Sequence, residues 1–123
     1  MARIVVIDDD SGICLLLQEY LTEQGYMVDT AENGKEGLKL VGLHHYDLVI
    51  TDIVMPEMDG FEVITAIKKK SPHTGLIAMT GGSVKLHQDV LLTTAELMRA
   101  DRVISKPINL KELMSAVTEI LAA

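Results

Sequence analysis

Five times along this chain a short, β-branched apolar run is followed by a longer segment of helical spacing, and few folds accept that alternation. Residues 3–8 (RIVVID) hold a continuous apolar run from Ile4 to Ile7 that stops at the aspartate, as in a strand covered on both faces. Ser11 stands where it can cap a helix presenting Ile13, Leu16, Leu17, Tyr20 and Leu21 as one stripe, and Gly25 is placed to end it. Residues 26–31 give a second strand, and Asn33-Gly34 turns into a short helix carrying Leu38 and Val41, with Gly42 near its end. Residues 47–51 (DLVIT) give the third strand, followed by Asp52 and a loop with Met55-Pro56. Asp59 with Glu62 three residues on forms a capping-box pattern, and the helix behind it presents Phe61, Ile64 and Ile67 before Ser71-Pro72. Residues 76–80 (LIAMT) make a fourth strand, and Gly81-Gly82 leads into a helix over about 84–98. Residues 102–105 make a short fifth strand. The last helix repeats Leu110, Leu113, Met114, Val117, Ile120 and Leu121 at i, i+3, i+4 spacing.

Five such units in series predict an α/β protein: a doubly wound, five-stranded parallel sheet with five helices on its two faces. Two topologies fit, one dinucleotide-binding and one flavodoxin-like with strand order 2-1-3-4-5. The 123 residues show no linker, repeat or low-complexity tract, so residues 1–123 read as one domain. Eleven basic against eighteen acidic residues leave a net charge of −7, which argues against nucleic acid or an anionic membrane as a direct partner. No apolar run approaches the ~20 residues that span a bilayer. The N-terminal run also stops at three aspartates, unlike a signal peptide. A single Cys14 excludes an internal disulfide and fits a reducing compartment, so the expected location is cytoplasmic.

Chemistry at the first strand's end separates the two topologies. A dinucleotide site needs glycines there, so that backbone amides can approach a pyrophosphate. This chain has Asp8, Asp9 and Asp10 instead, which repel an anion and attract a hard divalent cation. Functional side chains in open α/β sheets gather at the carboxyl ends of the strands. Asp52 ends the third strand beside the first, Thr80 ends the fourth, and Lys106 follows the fifth. Together with Asp8 and Asp9 they predict an acidic pocket with one ammonium and one hydroxyl. Such a pocket suits phosphoryl transfer to a carboxylate: Asp52 attacks, Mg²⁺ and Lys106 offset charge, and Thr80 donates to a phosphoryl oxygen of the product.

With these motifs in order, the sequence resembles a response-regulator receiver domain of two-component signalling along its whole length. Asp8-Asp9 match the family's acidic pair, Asp52 its phosphoacceptor, Met55-Pro56 and Asp59-Gly60 its following loop, Thr80 its switch hydroxyl, and Lys106-Pro107 its Lys-Pro step. The resemblance implies Mg²⁺ bound by Asp9, Asp52 and the backbone carbonyl of Val54, with Asp8 acting through water, and a cis peptide before Pro107. It also implies a phosphoryl donor, either a sensor histidine kinase or a phosphotransfer protein, and a downstream effector or output domain. The chain would catalyse its own phosphorylation and dephosphorylation without being a conventional turnover enzyme. It departs from the family pattern at Val103, where an aromatic residue is frequent, and in the stretch 81–99, which is a few residues longer than in compact chemotaxis-type regulators.

Other features read as structural. Asp10 or Ser11 is expected to cap the first helix. His44 and His45 are expected to be solvated or to compensate a helix dipole, and Lys68-Lys69-Lys70 to favour a helix C-terminus. Cys14 reads as filler. Leu86, Val90, Leu91, Leu92 and Leu97 exceed one helical stripe, which leaves core burial and a partner-facing patch both open. Two rival functions come from other classes. A degenerate receiver used only for protein interaction is opposed by the complete set of acids, hydroxyl and lysine. A phosphatase of the haloacid-dehalogenase type would use Asp8 and Asp10, but Gly12 stands where it needs a hydroxyl. The chain reads equally as a free-standing regulator or as the receiver of a longer protein.

Overall fold

The computed structural model describes residues 1–53, 55, 60–80 and 100–122. Five strands, β1 (Arg3–Ile7), β2 (Met27–Ala31), β3 (Leu48–Asp52), β4 (Gly75–Thr80) and β5 (Arg102–Ser105), form one sheet in the order β2-β1-β3-β4-β5. All neighbouring pairs are parallel. This is the flavodoxin-like order. Four helices are described: α1 (Ser11–Glu23), α2 (Gly34–Leu43), α3 (Gly60–Lys70) and α4 (Leu110–Ala122). The helix expected over 84–98, its surplus apolar residues, the Asp59 cap, Pro56, Val54 and the side chain of Phe61 lie outside the described residues.

Alternate side chains of the buried strands feed two cores. Ile4, Val6, Leu48, Ile50, Ile77 and Met79 pack with Leu17 and Leu21 of α1 and Leu113 and Val117 of α4. Val5, Ile7, Val49, Leu76 and Ala78 pack with Val63, Ile64 and Ile67 of α3 on the other face. Each such Val, Leu, Ile or Met side chain, fully withdrawn from water, contributes about 1.5–3 kcal/mol.

The helix ends follow local chemistry. Asp10, not Ser11, is the N-cap of α1: its backbone is extended and its carboxylate accepts from the amides of Gly12 and Ile13. Asn33 caps α2 by accepting from Glu36 N. Gly25 ends the turn after α1 at φ 97°, a left-handed conformation that costs a side-chain-bearing residue energy. Within α1 the core line is Cys14, Leu17 and Leu21, whereas Leu16 is 45% exposed. Leu16 is adjacent in sequence to Leu17 and so lies about 100° around the helix from it, while the small thiol takes the inward place. A Cβ on Gly37 would lie 2.4 Å from Ile7 Cδ1, so this glycine lets α2 press close against β1.

At the amino ends of the strands, Arg3 pairs with Asp29 at 2.9 Å and lies over the Tyr46 ring, and the Tyr46 hydroxyl donates to the same Asp29 oxygen at 2.7 Å. Lys68 lies 3.9 Å from Asp101, whose carboxylate accepts from Leu76 N. His44 closes α2 through its backbone N–H, and His45 lies 3.8 Å from Asp47 with its side chain largely in water. None of these histidines belongs to a cluster of metal-ligating groups among the described residues.

Candidate functional site at the carboxyl ends of the strands

The parallel register carries the predicted residues to one edge. Ile7 of β1 pairs with Thr51 of β3, Asp52 with Met79 of β4, and Thr80 with Ser105 of β5. Asp8, Asp52, Thr80 and Lys106 therefore sit at or one step beyond adjacent strand ends. The backbone ladder continues into the site: Asp8 N donates to Ala31 O at 3.0 Å, Ile53 N to Met79 O at 2.9 Å, and Lys106 N to Thr80 O at 2.7 Å.

Asp8 has no exposed surface, and Asp52 is 4% exposed. Burial of two carboxylates is costly without a partner, and Lys106 supplies one to both. Its Nζ lies 2.8 Å from Asp8 Oδ2 and 3.2 Å from Asp52 Oδ2. Burial works against the ammonium, but the hydrogen bonds and charges of Asp8 and Asp52 outweigh it and hold Lys106 above the ordinary lysine range. Asp8 Oδ1 also accepts from Asp10 N at 2.9 Å. The Lys106-Pro107 peptide is cis, as expected.

Asp9 is exposed but joins the other two acids. Asp8, Asp9 and Asp52 each place a carboxylate oxygen within 4.8 Å of the others. Three hard oxygen donors so close together, against one ammonium, fit a divalent cation such as Mg²⁺. Thr80 has no exposed surface, and its Oγ1 has no hydrogen-bond partner among the described residues. A buried hydroxyl in that state is suited to an incoming acceptor, such as a phosphoryl oxygen. Val54, the remaining expected metal ligand, lies outside the described residues.

Asp10 is withdrawn from this cluster, since its Oδ1 is engaged by Gly12 N and Ile13 N at 2.9 and 3.3 Å. That engagement disfavours a phosphatase pairing Asp8 with Asp10. Two side chains that sequence reasoning gave no part in the site also touch it. The Cys14 thiol donates to the Asp8 carbonyl at 3.3 Å, and burial with the Asp8 charge pushes its pKa up to about 11, so it is an inert packing group. Thr51, buried in β3, donates its hydroxyl to the Asp52 carbonyl at 3.0 Å. A threonine in a strand read only as apolar gives that signal in retrospect.

A parallel 2-1-3-4-5 sheet with an acidic pocket and a bridging lysine at its carboxyl edge is the arrangement expected of a two-component signalling domain. The chain belongs to the response regulator receiver domain family, whose model matches residues 4–118. It is 36% identical over 121 residues to the transcriptional regulatory protein GlrR of Escherichia coli (strain K12), covering 98% of this chain and 26% of that protein. It is 39% identical over 123 residues to the probable transcriptional regulator ycf27 of Cyanidium caldarium, covering 97% of this chain and 46% of the relative. The chain thus spans between about a quarter and half the length of these relatives. Among solved structures it is similar to the response regulator TrrA of Thermotoga maritima in complex with Mg²⁺-BeF, at 40% identity and TM-score 0.84, covering 98% of this chain and 100% of that one. It is also similar to a CheY-like receiver domain of Methanospirillum hungatei JF-1, at 30% identity and TM-score 0.89, covering 99% and 94%. No helix among the described residues is long and apolar enough to cross a membrane.

Proposed function

We propose that this receiver domain is a phospho-accepting switch in which Asp52 takes a phosphoryl group from the phosphohistidine of a sensor histidine kinase or phosphotransfer protein. The observation that carries the reading is the placement of Asp52, nearly buried at the end of β3, within 3.2 Å of the lysine that also holds Asp8. An Asp52 carboxylate oxygen attacks phosphorus in line with the departing imidazole nitrogen, so one P–O bond forms as the P–N bond breaks. Lys106 offsets the charge that gathers on the equatorial oxygens. The Thr80 hydroxyl donates to one of those oxygens in the product, which links the modified state to the end of β4. Asp9, Asp52 and the Val54 carbonyl would hold Mg²⁺ directly and Asp8 through water. Bound there, the ion supplies charge neutralisation and alignment of phosphoryl oxygens.

In this reading the chain, residues 1–123, is a single domain that works in the cytoplasm and passes its state to an effector or an output domain. The transcriptional regulators it resembles support an output of that kind. The test is incubation with acetyl phosphate and Mg²⁺ followed by mass-spectrometric mapping. The parent should carry its modification on Asp52, and Asp52→Asn should abolish Mg²⁺-dependent incorporation. Undiminished labelling of Asp52→Asn would overturn the assignment.

A further inference from the structure

Thr51 lies in β3 between Ile7 and Ala78, two residues of the apolar core on the α2 and α3 face, and has no exposed surface. Valine would match its shape in that layer and would bring no hydroxyl to desolvate, so the polar atom needs a compensating bond. It has one: Oγ1 donates to the carbonyl oxygen of Asp52 at 3.0 Å. The N–H of the same peptide unit, on Ile53, donates to the Met79 carbonyl at 2.9 Å. The peptide plane leaving Asp52 is therefore tied at both polar ends, by the strand's own side chain and by β4. Tying that plane restrains rotation about the Asp52 Cα–C bond. The Cα–Cβ bond of Asp52 then keeps the direction that sets Oδ2 3.2 Å from Lys106 Nζ.

We propose that Thr51 is a positioning residue for phosphoryl transfer, holding the backbone of the acceptor Asp52 through its hydroxyl without touching the phosphoryl group. This rests on the reading of Asp52 as the acceptor. Thr51→Val keeps the shape and deletes the hydroxyl. Thr51→Ser keeps the hydroxyl and deletes a buried methyl.

The experiment compares parent, Thr51→Val and Thr51→Ser by the rate of labelling from acetyl phosphate with Mg²⁺ and by urea unfolding without metal. Thr51→Val should label roughly tenfold more slowly than the parent, and Thr51→Ser within about twofold of it, because misplacing a reacting group removes much of the proximity advantage. Unfolding midpoints should follow the opposite order, with Thr51→Ser the lower of the two variants, since the lost methyl leaves a small cavity. Rate would then follow the hydroxyl while stability follows the methyl, a split that general loosening of the core does not produce. Labelling of Thr51→Val at the parent rate, or of Thr51→Ser as slowly as Thr51→Val, would overturn the inference with the Asp52 assignment intact. An unlabelled parent would overturn that assignment and this inference with it.

Discussion

Lys106 Nζ lies 2.8 Å from Oδ2 of Asp8, a carboxylate with no exposed surface at all. The ion pair joins the residue after β5 to the residue after β1, two strands that are not neighbours in the sheet. It spans the site from the outer strand to the inner one, and the same Nζ lies 3.2 Å from Asp52 Oδ2.

Lys106→Met should therefore destabilise the metal-free protein by about 2–4 kcal/mol, because it takes the countercharge away from two buried carboxylates. The lysine side chain is itself 17% exposed, which sets the expectation toward the lower end. Mg²⁺ should then stabilise the variant by more than it stabilises the parent, since a cation restores the missing charge. Urea unfolding with and without Mg²⁺ measures both effects. A variant as stable as the parent without metal would show that the pair does not support Asp8.

Neutralising an acid should act the other way. Three carboxyl groups crowd against a single ammonium in the cluster. Asp52→Asn or Asp9→Asn relieves part of that repulsion and leaves the Asp8–Lys106 pair in place, so each should raise metal-free stability by about 1 kcal/mol. The Mg²⁺-induced rise in unfolding midpoint should shrink in both. Equal metal responses in parent and variants would contradict the shared-cation account.

The far edge of the sheet sets an acid-side dependence. Burial raises the pKa of Asp29, but the Tyr46 hydroxyl, the Arg3 guanidinium and its charge outweigh it, and the carboxyl is held below its usual value. A depressed carboxylate contributes stability above its unfolded pKa of about 3.9 and loses it as pH falls through the lower folded value. The Asp29 side chain is 37% exposed, so screening limits the effect to about 1 kcal/mol. The stability gap between parent and Asp29→Asn should be constant from about pH 7 to about pH 5 and close below about pH 4. A gap that widened on acidification would reverse the assigned sign.

Much of this molecule was legible in its sequence because strand and site signals coincide. β1, β3 and β4 are buried on both faces, so their hydrophobicity is nearly continuous and each runs up to a chemically active side chain: Asp8, Asp52 and Thr80. What was not legible depends on faces and on hydrogen-bond direction. Leu16 and Leu17 look alike in a one-dimensional pattern, and only the helix phase separates the exposed residue from the buried one. Asp10 and Ser11 are both good caps, and the choice rests on which residue keeps an extended backbone. Thr51 carries no motif, because a β-branched residue in a strand is ordinary until its hydroxyl is seen to reach the next carbonyl.

The sheet's backbone ladder runs one bond past three strand ends, through the amides of Asp8, Ile53 and Lys106. These N–H groups belong to the same cooperative unit as the strands behind them, so their exchange with solvent deuterium follows opening of the sheet core rather than fraying of loops. On that clock the backbone beneath the acidic cluster opens with the sheet. A phosphoryl group arriving there meets side chains mounted on a frame that stays shut until the sheet core itself opens.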